Sequence, residues 1–148
     1  MLKLSARVLL SKRVLQLKTM YELRVAVDFS AAHHLEGYPG DCARQHGHNC
    51  EVEVFARSSH LDSIGMAMDF RTLKGAAKEL VAPWDHRDLN TLTDFEAINP
   101  SAEQIAKLAF QRLSAIVDND HTWIDRVTVW ENPRCSATYF DEKKRLRS

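Results

Sequence analysis

Three histidines at the ends of two alternating segments have the types and spacing that best suit chemistry. His46 and His48 lie two positions apart, so both rings project from one face of a β-strand. His33 ends an earlier alternating segment, in the phase that otherwise carries apolar side chains. Neutral imidazoles suit Zn²⁺, and a catalytic zinc keeps three protein ligands and one open position. The pattern predicts a zinc site of His33, His46 and His48; the alternative is a histidine-rich strand end without metal.

Two cysteines, Cys42 and Cys50, lie on either side of the His46 and His48 pair. A nearby cation favours the thiolate form of a cysteine, so Cys42 is a candidate nucleophile or general base. It could also be a fourth metal ligand or an idle loop thiol. Cys50 shares the strand phase of the two histidines, and a His₃Cys set would close the site into a structural one. Because Val52 continues that phase as core, we interpret Cys50 as a small buried residue.

Two acidic positions extend the candidate set. Asp85 and His86 are adjacent in the loop "WDHRDLN", and a carboxylate beside an imidazole can tune a proton carrier. Adjacent polar residues in a loop are also commonly just solvated. Glu131 follows two valines in strand phase, and a carboxylate that points inward needs a partner. That partner could be the cationic or guanidine-like edge of a ligand, or an internal arginine.

The elements that must position these residues follow from hydrophobic periodicity. Alternation of period two predicts strands near residues 21–33, 46–57, 122–131 and 136–140. Asp69 begins a predicted helix that ends near Pro83, and Ser101 with Gln104 forms the capping box of a second helix. The order β-β-α-α-β-β indicates an α+β fold: a four-stranded antiparallel sheet with two helices on one face. Its open edges and uncovered face favour an oligomer.

Composition bounds the function classes. The chain has 148 residues, 45% of them hydrophobic, which suits a single domain that we place at residues 20–148. Its 20 basic and 20 acidic residues leave no excess positive charge for nucleic acid, and no apolar run approaches the length of a membrane span. Three cysteines and no secretory signal favour a cytoplasmic location.

The first 19 residues carry five basic side chains and no acidic one. We interpret residues 1–19 as a disordered N-terminal extension, or as the product of an upstream start codon with Met20 as the working first residue. An organelle-targeting leader is the alternative, because its composition is similar.

Six motifs, in order over about residues 20–141, resemble the 6-pyruvoyl tetrahydropterin synthase family. They read "FSAAHHL", "CARQHGHN", "GMAMDFRTLK", "WDHRDLN", "NPSAEQIA" and "VWENPRCSATY". The spacing from Cys42 to His48 is similar to the bacterial branch that makes 6-carboxy-5,6,7,8-tetrahydropterin for queuosine. Cys50 and the Ser101-Ala102 pair depart from the residues usual in the family. The resemblance implies the tunnelling fold, in which subunits assemble into a barrel, usually a hexamer of two stacked trimers with active sites at the interfaces.

The resemblance also implies roles for the candidate residues. His33, His46 and His48 would hold Zn²⁺, Cys42 would move protons with the help of Asp85 and His86, and Glu131 would hold the pterin. The substrate would be 7,8-dihydroneopterin triphosphate, which loses triphosphate and acetaldehyde in the carboxy branch. The alternative enzyme is the pyruvoyl-forming synthase, which keeps the three-carbon side chain. A different class of explanation is a non-catalytic module in which Cys50 completes a structural zinc site.

Overall fold

The computed structural model describes residues 20–146, so the predicted basic extension lies outside the described residues. Five strands form one sheet in the order β3-β1-β2-β4-β5. The strands are β1 Tyr21–His33, β2 His46–Ser58, β3 Arg87–Asp88, β4 Thr122–Asn132 and β5 Cys135–Phe140, and the α-helices are α1 Phe70–Val81, α2 Ala102–Val117 and α3 Glu142–Arg145.

The predicted α+β class and its four long antiparallel strands are confirmed. The sequence missed β3, a two-residue strand that pairs in parallel with Ala31 and Ala32 of β1. It also missed α3, which has four residues. Elements this short show no hydrophobic period, so no pattern in the sequence could predict them.

The register between β1 and β2 decides where the site lies. The two strands pair without interruption from Tyr21 opposite Ser58 to His33 opposite His46. Apolar side chains of one phase are buried along both strands, and this burial fixes the register because a slip of one residue would expose them. The uninterrupted pairing therefore brings the histidines of both strands to one end of the sheet, on its buried face.

Both long helices pack on that face of the sheet and begin where the sequence predicted. The Asp69 carboxylate accepts a hydrogen bond from the Arg71 N–H, and the Ser101 hydroxyl accepts one from the Gln104 N–H. Two large apolar residues in helical phase with the buried residues of their helices are nevertheless exposed, Phe70 by 57% and Ile116 by 69%. Phe70 begins α1, and Ile116 lies one residue before the end of α2. Periodicity alone does not distinguish a residue at the end of a helix from one in its middle. Within residues 20–146, no helix has the length and apolar character of a transmembrane segment.

Candidate metal centre and active site

The rings of His33, His46 and His48 converge at the end of the β1–β2 pair. Their centroids lie 4.6 Å apart for His33 and His46, 5.2 Å for His33 and His48, and 4.9 Å for His46 and His48. One nitrogen from each ring lies within 4.8 Å of the others. The register explains the cluster, because His33 pairs with His46 and the strand period brings His48 to the same face. The three rings could hold one metal ion.

Backbone carbonyls orient two of these rings. His33 Nδ1 lies 2.6 Å from the Pro100 carbonyl oxygen, and His46 Nδ1 lies 2.8 Å from the Arg44 carbonyl oxygen. A carbonyl can only accept, so both Nδ1 atoms carry the proton and donate it, and each Nε2 keeps its lone pair. Metal-binding histidines are generally held in this way, with the second nitrogen hydrogen-bonded to a carbonyl or a carboxylate.

The His33 ring supplies a test of whether a metal fits. The residue is only 4% exposed, and its buried Nε2 has no hydrogen-bond partner among the described residues. An unpartnered nitrogen in the interior costs free energy, and a metal ion beside the other two rings would remove that cost. The chemistry of the three donors and the orphaned Nε2 therefore both fit a metal ion.

The electrostatic surroundings favour a neutral imidazole at His48. Burial lowers the pKa of His48 below its ordinary value; Glu131 opposes the shift, and the His33 and His46 rings add to it. A neutral ring at neutral pH presents a lone pair to a metal. Glu131 Oε1 lies 3.9 Å from His33 Nε2, so this carboxylate belongs to the surroundings of the histidine cluster. Within the described residues, the Glu131 carboxylate thus lies beside a histidine ring, and not beside the internal arginine that we considered.

Glu131 also lines an open cleft of about 260 Å³. The other lining residues are Leu35, Ser101, Ala102, Glu103, Cys135, Ser136 and Ala137. Glu103, a second carboxylate, was missed in the sequence because the segment "SAEQ" indicated only the start of a helix. The cleft is small compared with the roughly 300–1,000 Å³ of typical ligand pockets.

Asp85 and His86 lie together at the outer edge of β1. His86 Nδ1 is 3.0 Å from Asp85 Oδ2, and Asp85 Oδ1 accepts a hydrogen bond of 2.9 Å from the Ser30 N–H. The Ser30 N–H, and then the His86 ring, hold the pKa of Asp85 below its ordinary value. His86 has φ +56°, a strained conformation for a residue other than glycine, and its side chain is 81% exposed. The imidazole is therefore accessible at the edge of the sheet.

Cys42 is half-buried in a 3₁₀ turn, Asp41–Ala43. Within residues 20–146, no hydrogen bond joins its thiol to Asp85, His86 or the histidine cluster. The described residues thus bring together the three histidines with Glu131, and separately Asp85 with His86. They make no hydrogen bond between the Cys42 thiol and either group.

Cys50 is 5% exposed, and burial raises the pKa of its thiol to about 11. In the part of the chain that the structure describes, it is not among the converging ligand atoms. This position agrees with the interpretation of Cys50 as a core residue. The rings of His60 and His121 contact each other elsewhere in the structure, with centroids 5.1 Å apart.

The architecture is that of the tunnelling fold. It resembles the structure of Caenorhabditis elegans 6-pyruvoyl tetrahydropterin synthase with a TM-score of 0.72 and 26% identity, over 83% of this chain and 96% of that one. The structure of the Plasmodium falciparum 6-pyruvoyl tetrahydropterin synthase gives a TM-score of 0.66 at 20% identity, over 82% of this chain and 98% of that one. Fold and site together thus define a pterin synthase.

The chain belongs to the 6-pyruvoyl tetrahydropterin synthase family, whose model matches residues 22–142. The resemblance seen in the six motifs is therefore confirmed. A 6-carboxy-5,6,7,8-tetrahydropterin synthase of Synechocystis is 36% identical over 78% of this chain and 89% of its own length. The Bacillus subtilis protein of the same name is 30% identical over 83% of this chain and 87% of its own length.

Proposed function

We propose that the protein is a zinc-dependent 6-carboxy-5,6,7,8-tetrahydropterin synthase of queuosine biosynthesis. It would convert 7,8-dihydroneopterin triphosphate to the 6-carboxy product, with release of acetaldehyde and triphosphate. The observation that carries the proposal is the cluster of His33, His46 and His48. The Nδ1 atoms of His33 and His46 donate hydrogen bonds to backbone carbonyls, and the cluster lies beside a cleft lined by Glu131. The names of the bacterial relatives support the carboxy product.

His33, His46 and His48 would hold the zinc ion. When bound there, zinc supplies Lewis acidity that stabilises negative charge on a substrate oxygen and eases removal of the neighbouring proton. The Pro100 and Arg44 carbonyls keep the Nε2 atoms of His33 and His46 unprotonated, and therefore able to bind.

Glu131 would orient the substrate. Its carboxylate can accept two hydrogen bonds from the amino-pyrimidine edge of a pterin, whose donors lie side by side. Glu103 lines the same cleft and offers a second acceptor. Glu131 lies 3.9 Å from His33, a proposed metal ligand. A pterin ring bound to Glu131 would therefore place the side chain of the substrate near the zinc.

Cys42 would act as the base that removes and returns protons, and Asp85 with His86 would assist it. Asp85 remains ionised because its pKa is lowered, and its carboxylate can orient the His86 ring through the 3.0 Å contact with Nδ1. The pair is exposed at the edge of β1 and has no bond to Cys42 in its own chain, among the described residues. We therefore propose that it serves the Cys42 of a neighbouring subunit.

A homo-hexamer would supply that neighbour. Apart from the two residues that pair with β3, the outer edge of β1 is open within the described residues, as is the outer edge of β5. Such edges pair readily with another strand, so copies of the chain can close into a barrel. A mass near six times the 16.9 kDa of the chain, measured by light scattering, would support this assembly in solution. We propose that the protein is located in the cytoplasm.

Product identification tests the proposal. Purified protein with dihydroneopterin triphosphate should release acetaldehyde and form the 6-carboxy compound. A 6-pyruvoyl product without acetaldehyde would instead support the alternative enzyme, the pyruvoyl-forming synthase. No conversion at all by the zinc-loaded protein would contradict both.

The shared site has its own test, which mixes inactive chains. Subunits with Cys42→Ala and subunits with Asp85→Asn should be inactive alone, but mixed oligomers should regain activity, because some interfaces then contain both native residues. If mixing restores nothing, the site is not shared between subunits.

A further inference from the structure

The backbone between the metal site and Cys42 is held by side chains. Residues 34–42, which we call the Cys42 loop, follow directly on His33. The pairing of β1 with β2 ends where His33 meets His46, so the loop leaves the sheet at that point. Its first three residues nevertheless make regular hydrogen bonds, and these bonds determine where Cys42 lies.

Two asparagine side chains bind the loop, each at a single residue. Asn90 Oδ1 accepts a 2.9 Å hydrogen bond from the His34 N–H, and Asn90 Nδ2 donates a 3.0 Å bond to the His34 carbonyl. Asn99 does the same at Glu36, with bonds of 2.8 Å and 3.0 Å. Each amide thus uses its acceptor and one donor on one backbone residue, as the opposite residue of an antiparallel strand would.

Leu35 lies between His34 and Glu36, and its N–H makes a hydrogen bond toward the opposite edge. The Leu35 N–H donates a 2.8 Å hydrogen bond to the Cys42 carbonyl. Alternate residues of a strand present their polar groups to opposite edges, so residues 34–36 continue the strand pattern with two amides on one edge and Cys42 on the other. Gly37, at φ +78°, lies in the turn through which the chain returns toward Leu35. The two amides therefore fix the position of Leu35, the residue whose N–H binds the Cys42 carbonyl.

Both asparagines are themselves anchored to the framework of the site. Asn99 precedes Pro100, whose carbonyl binds the His33 ring, and its own carbonyl accepts a hydrogen bond from the Ser101 N–H. The Asn90 N–H donates to the side chain of Asp88, in β3. The amides thus connect the Cys42 loop to the segments that orient a metal ligand and border the sheet.

We propose that Asn90 and Asn99 are positioning residues, which hold Cys42 at a fixed place relative to the metal site by substituting for a missing strand. The inference rests on the proposed function in one respect, because it takes Cys42 as the base. The holding of the loop does not depend on the reaction.

Hydrogen exchange and kinetics test the two parts separately. In the wild-type protein the amides of His34, Leu35 and Glu36 should be protected like those of β1, although they lie outside any strand. Asn90→Asp and Asn99→Asp remove the donor without changing the shape, and place a charge against a carbonyl. Each should speed exchange at residues 34–36 by about fivefold or more. A matched control is Asn119→Asp, because the Asn119 side chain accepts hydrogen bonds from the N–H groups of His121 and Thr122 through Oδ1, and aspartate keeps that ability.

The two variants should also lower kcat by about tenfold or more while KM changes less than about twofold, since the fault is in the placement of the base. Zinc content should stay that of the wild type, and the control should show none of these changes. Fast exchange at residues 34–36 in the wild type would overturn the proposal without any variant. The proposal would also be overturned if the variants exchanged faster but kept the wild-type kcat, or if only their KM changed. If the wild type converts no pterin, the proposed function fails, while the exchange data still decide whether the amides hold the loop.

Discussion

Replacing the proposed metal ligands one at a time separates metal binding from folding. His33→Ala and His46→Ala each remove one of three imidazoles. Zinc binding by four-ligand sites is worth about 10–16 kcal/mol, or about 3 kcal/mol for each ligand. Each variant should therefore bind zinc about a hundredfold more weakly, as measured by competition with a chromophoric chelator.

The two variants should differ in the stability of the metal-free protein. His33 is 4% exposed and donates to the Pro100 carbonyl, whereas His46 is half-buried. His33→Ala leaves that carbonyl without its donor and opens a cavity, so we expect a loss of about 2 kcal/mol. For a chain of this size the loss corresponds to about 4–8 °C in Tm, while His46→Ala should change Tm by less than about 2 °C.

Thermal denaturation of chelator-treated protein measures the difference, with the wild type treated in the same way as the reference. Wild-type zinc affinity in His46→Ala would refute the three-histidine site. Equal stability of the two metal-free variants would show that the bond from His33 to Pro100 does not support the fold.

Three further outcomes are expected. Cys42→Ala should keep its zinc and lose turnover by about a hundredfold or more, and loss of metal by elemental analysis would instead make Cys42 a ligand. Glu131→Gln should raise KM for the pterin by about tenfold without altering zinc content, and unchanged KM would remove Glu131 from the substrate site. The Arg112 guanidinium and the buried Trp84 indole hold the pKa of Asp94 below its ordinary value of 3.8. The ionised Asp94 carboxylate therefore stabilises the fold above pH 3.8, and this stabilisation is lost as the pH falls further. Asp94→Asn should therefore be less stable at pH 7, by about 1 kcal/mol, and urea unfolding at lower pH should show this difference shrink; a constant difference would contradict the assignment.

Local periodicity explains why much of the site could be predicted. A strand alternates its side chains, so the phase of His33, His46 and His48 is enough to indicate that they share one face. The helix starts at Asp69 and Ser101 followed from capping chemistry within a few residues, and the structure has both.

Contacts between distant segments left no such pattern. Pro100 is 67 residues from the His33 ring that it orients, and nothing in its neighbourhood marks it as the partner. The Asn90 and Asn99 amides bind backbone groups 56 and 63 residues away, and backbone groups carry no sequence signal. Glu103 joins the Glu131 cleft only because α2 packs beside β5.

The sequence by itself determined the α+β class, the family and the three candidate ligands, because strand alternation, helix capping and motif order are written in neighbouring residues. The tertiary structure alone decided which nitrogen of the His33 and His46 rings is free. It also decided that, within the described residues of one chain, no hydrogen bond joins Cys42 to Asp85 or His86. These outcomes depend on how the sheet and the loops pack, which brings together groups that no local pattern connects.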